Sequence, residues 1–213
     1  MIEIVLATAN PHKVDEMRAI FSILTPRATL VGLSDCAGSP FPEPVETGST
    51  FEQNSAIKAR AYAIATNRLC LADDSGLEID ALGGRPGVIS SHYCTDGREA
   101  GMTRPERDAA NNTRVLRELE GVAPERRTAR FVCVLTLSSA QGSTLAQVRG
   151  NFEGRIGLPP EVPRGQDGFG YDPLFLAAPS FTRTSAELSA DEKNRISHRR
   201  SAAEQMAAIV RKM

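Results

Sequence analysis

The amino-terminal stretch IEIVLATANPHKVDEMRAIFSILTPRATLVGL, residues 2–33, decides the fold class. Its first five residues form an apolar run, which predicts a strand buried on both faces. Asn10 is a typical helix-capping residue, and Pro11 suits the first helical position, where a missing N–H costs nothing. Apolar residues then recur at helical spacing over residues 14–24, and residues 28–33 predict a second strand. The chain therefore opens as strand, helix and strand.

The rest of the chain continues this alternation of helices and strands. Thr50 and Gln53 have the form of a capping box, which predicts a helix to about residue 66. A short strand at residues 69–72 is expected to end in a polar turn at residues 73–76. Further predictions are a helix at 105–119, a hairpin with strands at 131–137 and 144–150, loops at 34–48, 83–104 and 154–173, a capping box at Ser189 and Glu192, and a final amphipathic helix. We expect one α/β domain, residues 1–213, with a mixed sheet and no linker.

Composition and charge narrow the class of ligand. The chain is 41% hydrophobic and 24% charged, which is ordinary for a globular protein with a core. Its 25 Lys and Arg residues against 26 Asp and Glu residues give a net charge of -1. A protein that holds duplex DNA by its phosphates usually carries a cationic excess. We therefore expect a small anionic ligand and no stable nucleic-acid partner.

The cysteines and the apolar runs indicate a cytoplasmic protein. Cys36, Cys70, Cys94 and Cys133 form no C-x-x-C pair, and no histidine lies at zinc-ligand spacing from them, which favours reduced structural thiols. Glu3 interrupts the amino-terminal apolar run, which argues against a secretory signal. No apolar stretch approaches the roughly eighteen residues that span a bilayer. We expect no association with a membrane.

The first candidate ligand segment joins the opening strand to the helix that follows. Ligands of α/β sheets bind at the carboxyl ends of strands, and a helix amino terminus attracts anions. Thr8 and Asn10 could add hydrogen bonds, and Lys13 a charge for a phosphate. The alternative is a capped helix with a solvated lysine. The candidate residues are Thr8, Ala9, Asn10, Pro11, His12 and Lys13.

The second candidate segment is a pair of adjacent carboxylates, Asp73 and Asp74, followed by Ser75. Hard oxygen ligands suit Mg²⁺, which takes one or two carboxylates and leaves its other positions to water and phosphates. Because adjacent side chains of an extended segment point in opposite directions, we predict that one aspartate binds the metal and the other supports it. Glu46 is a further acid in a loop. The alternative is a simple turn formed by Asp and Gly.

Two further segments carry groups that suit a nucleotide. Residues 193–200 form the densest basic cluster of the chain, whose lysine and arginines could neutralise phosphates, unless they form only a solvated face. Residues 168–173, GFGYDP, combine glycines with two aromatic rings and an aspartate. An aromatic ring could stack on a base and the aspartate could accept from its edge. The alternative is a tight turn with both rings in the core.

Together these segments resemble the inosine triphosphate pyrophosphatase family, bacterial dITP/XTP pyrophosphatases included. They occur in the family's order and cover nearly the whole chain, so the match is more specific than any one motif. The matching pieces are ATANPHK (7–13), ETGSTFEQNSAIKA (46–59), ADDSGLEIDAL (72–82), RPGVISSHY (85–93), ARFVCVL (129–135), GFGYDP (168–173) and AELSADEKNRISHR (186–199).

The resemblance implies a fold, an activity and an assembly. The fold would be an elongated mixed β-sheet flanked by helices, with two lobes and the active-site cleft between them. The activity would be hydrolysis of ITP, dITP and XTP to the monophosphate and pyrophosphate, which cleanses the nucleotide pool. It would need Mg²⁺, with Mn²⁺ as a substitute, and the protein would be a homodimer.

The resemblance also assigns roles to matching positions. Residues 8–13 would hold the triphosphate, and Asp74 would be the catalytic carboxylate at the metal and the attacking water, with Glu46 as a second metal ligand. The other substrate-binding residues would be Ser75, Phe169, Gly170, Tyr171, Asp172, Lys193, His198 and Arg199. Three positions depart from the family's usual residues, namely Val45, Ile89 and His92.

Two rival functions use the same residues. A non-catalytic regulator would bind a nucleoside triphosphate without turnover. A phosphatase with an aspartyl nucleophile would release orthophosphate, but its D-x-D-x-T pattern is absent from the chain.

Overall fold

The computed structural model describes residues 2–8, 11–26 and 28–213. Ala9 and Asn10, two predicted triphosphate-binding residues, lie outside the described residues, as do the side chains of Pro11 and His12. The strands are β1 (Ile2–Leu6), β2 (Ala28–Gly32), β3 (Cys70–Ile79), β4 (Thr128–Ser138), β5 (Thr144–Ile156) and β6 (Phe175–Ala177). The α-helices are α1 (Pro11–Leu24), α2 (Phe51–Thr66), α3 (Arg104–Glu118), α4 (Ala190–Ile196) and α5 (His198–Val210).

The strands form one mixed sheet in the order β2-β1-β3-β4-β5-β6. β1 pairs in parallel with both β2 and β3, whereas β5 and β6 are antiparallel. Ile4 and Leu6 pack in one apolar cluster and Val5 in another, so both faces of β1 are buried, as its apolar run predicts. The α/β class with a mixed sheet and flanking helices is confirmed. No helix in the described ranges is long and apolar enough to cross a membrane.

The prediction of a polar turn at residues 73–76 was wrong, because β3 continues through them to Ile79. Leu77 and Ile79 are fully buried in an apolar core, which holds the strand extended beyond its polar segment. Asp73 and Asp74 therefore belong to a strand, in which successive side chains point to opposite faces.

The predicted loop at residues 154–173 was wrong at its start, because β5 runs to Ile156 and pairs with β6. Gly154 is a packing residue here. A Cβ at that position would lie 2.4 Å from Cζ of Phe175, so the glycine makes room for the ring. Residues 83–104 are also less irregular than predicted, since a kinked 3₁₀ segment spans Gly87–Thr95.

The chain divides into two compact units, neither of which is a continuous stretch. The first unit consists of Met1–Ser75, Cys133–Gly150 and His198–Met213, and the second of Gly76–Val132 and Asn151–Ser197. In the first unit α1 and α5 share an apolar core that includes Met17, Phe21 and Met206. The second unit has its own core around Phe175, whose ring centroid lies 4.6 Å from that of Phe131.

Gly150 sets the distance between β5 and α5 in the first unit. A Cβ at Gly150 would lie 2.3 Å from both the carbonyl oxygen of His198 and the backbone nitrogen of Ala202. Only glycine therefore allows the first turn of α5, which carries His198 and Arg199, to rest on the strand.

Gly150→Ala is expected to destabilise the protein by about 1–3 kcal/mol, the usual cost of overpacking. The backbone of α5 must move, because the clash involves main-chain atoms. Gly32→Ala is the matched control, since its Cβ would meet only side-chain atoms at 3.2 Å or more. Thermal unfolding of the two variants measures the difference, and equal losses would contradict the close packing of α5 on Gly150.

Candidate active site

Asp73 is the centre of a buried polar cluster in the first unit. Its Oδ1 accepts hydrogen bonds from Nζ of Lys13 at 2.5 Å and from Oγ of Ser75 at 2.5 Å. Its Oδ2 accepts from Nε of Arg199 at 3.2 Å and from the thiol of Cys133 at 3.4 Å. Both carboxylate oxygens are therefore occupied by donors from this unit.

The cations around Asp73 keep it ionised. Burial alone raises the pKa of this carboxyl, but the charges of Lys13 and Arg199 outweigh burial and hold the pKa well below its ordinary value. Asp73 is therefore a fixed negative charge that anchors two cations.

Asp74 occupies a different environment, beside Lys58 of α2. Its Oδ1 accepts from Nζ of Lys58 at 2.7 Å, and the same Nζ lies 3.2 Å from Oε2 of Glu46. Its Oδ2 is buried and has no hydrogen-bond partner within residues 2–8, 11–26 and 28–213. The two adjacent aspartates thus have separate partners, and the second retains an unused acceptor.

The ionisation of Asp74 also differs from that of its neighbour. Burial raises the pKa of Asp74 to about 6, even though Lys58 lowers it. For Lys58 itself, burial lowers the pKa, but Asp74 and Glu46 more than offset this and raise the pKa overall. Lys58 therefore stays charged, while Asp74 can exchange a proton near neutral pH.

The two acids beside Lys58 fit the donor set of Mg²⁺. In the part of the chain that the structure describes, no group of three or more His, Cys, Asp or Glu side chains is placed to hold a metal ion. Mg²⁺ needs only one or two protein carboxylates, because water and substrate phosphates fill its other positions. Asp74 and Glu46 supply that number of carboxylates, and the carboxylate of Glu46 is partly accessible.

The predicted basic cluster is not a solvated face. Lys193, His198 and Arg199 are all buried. The guanidinium of Arg199 also donates to Oε2 of Glu16 at 2.7 Å, in addition to its bond with Asp73. A buried arginine with two carboxylate partners is a structural ion pair that holds α5 to α1 and β3.

The loop at residues 168–172 forms a second polar group, in the second unit. Oδ2 of Asp172 accepts from the backbone N–H of Phe169 at 2.8 Å and from Nζ of Lys193 at 2.6 Å. That Nζ lies 5.5 Å from the centroid of the Phe169 ring. Gly168 has a φ of +80°, and a Cβ there would lie 2.1 Å from Oδ2 of Asp172, so the turn requires glycine.

The two aromatic rings of this loop have different surroundings. Tyr171 is buried in the core of the second unit, where its hydroxyl donates to the carbonyl oxygen of Ser90 at 2.7 Å. Phe169 is only partly buried. The prediction of a tight turn with both rings in the core therefore holds for Tyr171 alone, and the ring of Phe169 stays partly accessible.

The sequence model of the Ham1 family matches residues 4–209. The chain belongs to the Ham1 family. It is 44% identical over 211 residues to the dITP/XTP pyrophosphatase of Bacillus subtilis (strain 168), which covers 99% of this chain and 98% of that protein. It is 47% identical over 199 residues to the dITP/XTP pyrophosphatase of Nitratidesulfovibrio vulgaris, and this alignment covers 92% of this chain and 89% of that protein.

Solved structures of Ham1 proteins have the same fold. The HAM1 protein of Coxiella burnetii superposes with a TM-score of 0.83 at 40% identity, and all of both chains is covered. The Ham1 protein of Staphylococcus aureus superposes with a TM-score of 0.81 at 36% identity, over 99% of this chain and 98% of that one.

This Ham1-family chain brings many of the predicted site residues into two groups. In the first unit Lys13, Ser75 and Arg199 meet at Asp73, and Asp74 and Glu46 meet at Lys58. Thr8 lies two residues after the end of β1, and His198 begins α5. In the second unit Phe169, Asp172 and Lys193 contact one another. The cleft between two lobes stays a prediction.

Two residues of the first group, Lys58 and Glu16, were not among the site residues predicted from the sequence. Lys58 lies three residues after the buried Ser55 and four before the buried Tyr62, so helical spacing places it on the inner face of α2. Glu16 follows Lys13 by three residues on α1, which puts both on one face. Helical spacing alone therefore indicates that Lys58 faces inward and that Glu16 lies beside Lys13, but it does not indicate their partners.

The three departures from the family pattern have separate surroundings. Val45 is exposed, and Ile89 packs against the core of the second unit. Nδ1 of His92 lies 2.8 Å from Oγ of Ser91, and its Nε2 lies 3.1 Å from Oε2 of Glu99.

Proposed function

We infer that this Ham1-family protein hydrolyses non-standard purine nucleoside triphosphates such as ITP, dITP and XTP to the nucleoside monophosphate and pyrophosphate. The proposed chemistry rests on one observation about Asp73 and Asp74. The two adjacent carboxylates of β3 differ in their hydrogen bonds. Both oxygens of Asp73 accept from donors, whereas Oδ2 of Asp74 is buried and has no partner among the residues that the structure describes. The relatives named dITP/XTP pyrophosphatase support the choice of substrate. Such an activity removes these nucleotides from the pool.

In this proposal Asp74 is the general base. Lys58 fixes Oδ1 of Asp74, which leaves Oδ2 to orient a water molecule and accept its proton. Phosphoryl transfer depends on positioning and charge neutralisation more than on covalent help. Asp74 and Glu46 would hold Mg²⁺, and the ion, when bound, supplies positive charge to the phosphate oxygens.

The phosphates would bind at the start of α1. The backbone N–H groups of its first turn attract anions, and Lys13 adds a positive charge there. Asp73 holds the Lys13 ammonium in place at 2.5 Å. Arg199 is bonded to Asp73 and Glu16, which supports a role in fixing this arrangement.

The base would stack on Phe169, with Lys193 beside it. Inosine and xanthosine carry a 6-oxo group that accepts a hydrogen bond, whereas adenosine carries a 6-amino donor. Lys193 is fixed by Asp172 and its Nζ lies 5.5 Å from the centre of the Phe169 ring, which supports it as the donor to O6. Rejection of guanosine would arise at the 2-amino edge of the base.

Activity is expected to require Mg²⁺ or Mn²⁺, because the candidate site offers only oxygen ligands. A chelator should abolish the release of pyrophosphate from ITP, and added Mg²⁺ should restore it. The assay measures pyrophosphate and orthophosphate separately. Binding of ITP without turnover in saturating Mg²⁺ would support the rival function of a non-catalytic regulator. Release of orthophosphate alone would support the rival function of a phosphatase with an aspartyl nucleophile.

The proposal includes an assembly and a location that rest on the resemblance. We propose a cytoplasmic homodimer that binds neither nucleic acid nor membranes. Light scattering of the purified protein measures its mass in solution against the 22.9 kDa of one chain.

A further inference from the structure

One face of α3 holds the loop that carries Phe169. Oδ2 of Asp108 accepts a hydrogen bond from the backbone N–H of Gly170 at 3.0 Å. Nδ2 of Asn112 donates to the carbonyl oxygen of the same glycine at 3.0 Å. Asp108 and Asn112, four residues apart on α3, thus bind both polar groups of one residue, and we call this pair the Gly170 clamp.

Arg104 extends this face by one further turn and contacts the ring itself. Its guanidinium carbon lies 4.6 Å from the centroid of Phe169, within the range of a cation–π contact. Its Nε is 4.0 Å from Oδ2 of Asp108. Residues spaced by four lie on one side of a helix, so α3 presents Arg104, Asp108 and Asn112 together to this loop.

Gly170 needs such a clamp. Its φ is +62°, and a Cβ at this position would meet no atom of the described residues within 4 Å. Gly170 lies between Phe169 and Tyr171, whose ring is fixed in the core. Because glycine has wide torsional freedom, the orientation of the Phe169 ring depends on the hydrogen bonds that fix Gly170.

The side chain of Asn112 lowers the stability of the fold at one of its two polar ends. Its Oδ1 is buried and finds no hydrogen-bond partner in the described part of the chain. A buried acceptor without a partner costs free energy. The side chain that contacts the loop thus has one end with a hydrogen bond and one without, which fits a role in holding the loop better than a role in stability.

We propose that Arg104, Asp108 and Asn112 are positioning residues that set the selectivity of the enzyme for the base. They fix the Phe169 ring and the backbone of Gly170, so that a stacked purine presents its O6 to Lys193. This inference rests on the proposed function, because it takes Phe169 as the stacking ring. Changes at these residues of α3 should therefore alter KM and the preference for one base over another. They should have little effect on the chemical step at Asp74.

The test compares kcat and KM for ITP and ATP in the wild-type protein and in loop-facing variants. Asn112→Leu and Asp108→Ala each remove one clamp hydrogen bond. Each is expected to lower the ITP-to-ATP ratio of kcat/KM by about 10-fold, mainly through KM for ITP, while kcat stays within about 2-fold. Asp108→Asn keeps an oxygen acceptor for Gly170 and should retain most of the wild-type ratio.

A matched pair of arginines on α3 provides the control. Arg104→Met removes the contact with Phe169 and should lower the ratio, whereas Arg117→Met changes an exposed arginine of the same helix and should not. If the wild-type protein releases no pyrophosphate from ITP, the proposed function fails and this inference fails with it. If the wild type is selective and the clamp variants keep its ratio, or lose kcat on both substrates alike, α3 has no positioning role.

Discussion

Asp74→Asn is expected to lower kcat for ITP by about 10²–10⁴-fold, the usual contribution of a general base. Asparagine preserves the shape of the side chain and an acceptor for Lys58, but it cannot take a proton from water. The stability of the fold should change little, because Lys58 keeps Glu46 as a carboxylate partner at 3.2 Å. Burial raises the pKa of Asp74 to about 6, so its ionised form is disfavoured in the folded state, and a neutral side chain removes that cost. Steady-state kinetics and thermal unfolding of one preparation measure both effects.

Two further aspartate variants separate catalysis from stability. Asp73→Asn should also reduce activity, but it leaves Lys13 and Arg199 without their buried partner and should cost about 3–5 kcal/mol of stability. Asp35→Asn makes the same chemical change at an exposed carboxylate that pairs with Arg18, and should leave kcat at the wild-type value. An Asp74→Asn protein with wild-type kcat would contradict the role of Asp74 as base.

The wild-type protein is expected to prefer ITP over ATP by about 10⁴-fold in kcat/KM. A site that donates a hydrogen bond to O6 leaves its donor facing another donor when adenine is bound, and mismatches of this kind discriminate by that factor. Lys193 is buried and fixed by Asp172, so it cannot turn to solvent when adenine enters. Lys193→Met should therefore lower the ratio of kcat/KM for ITP to that for ATP. Arg195→Met, at an exposed position of the same helix, should leave this ratio unchanged.

Features encoded by neighbouring residues were predictable from sequence. Thr50 caps α2 by accepting from the backbone N–H of Gln53 at 3.2 Å, although the Gln53 side chain accepts from Ser49 and so does not complete the predicted capping box. Ser189 and Glu192 form the predicted capping box of α4. The apolar run of β1 predicted a strand buried on both faces. Each of these patterns spans only a few residues, so interactions between sequence neighbours determine the local structure.

Features that depend on distant residues were not predictable. Lys13 and Asp73 are 60 positions apart, and Arg199 is 126 positions from Asp73, so no local pattern links them. The extension of β3 through its acidic pair depends on packing around Leu77, which the turn-forming residues Asp and Gly concealed. The family motifs named most residues of the site, but the bonds of Lys58 and of the Gly170 clamp emerged only from the structure.

An internal competition most directly tests the claim that this protein is a pyrophosphatase for non-standard purine nucleotides. Equal concentrations of ITP and ATP are incubated with the protein and Mg²⁺, and chromatography follows both nucleotides and their products. We expect that ITP is converted to IMP and pyrophosphate while ATP remains. Consumption of both at the same rate, or successive loss of orthophosphate from ITP, would contradict it.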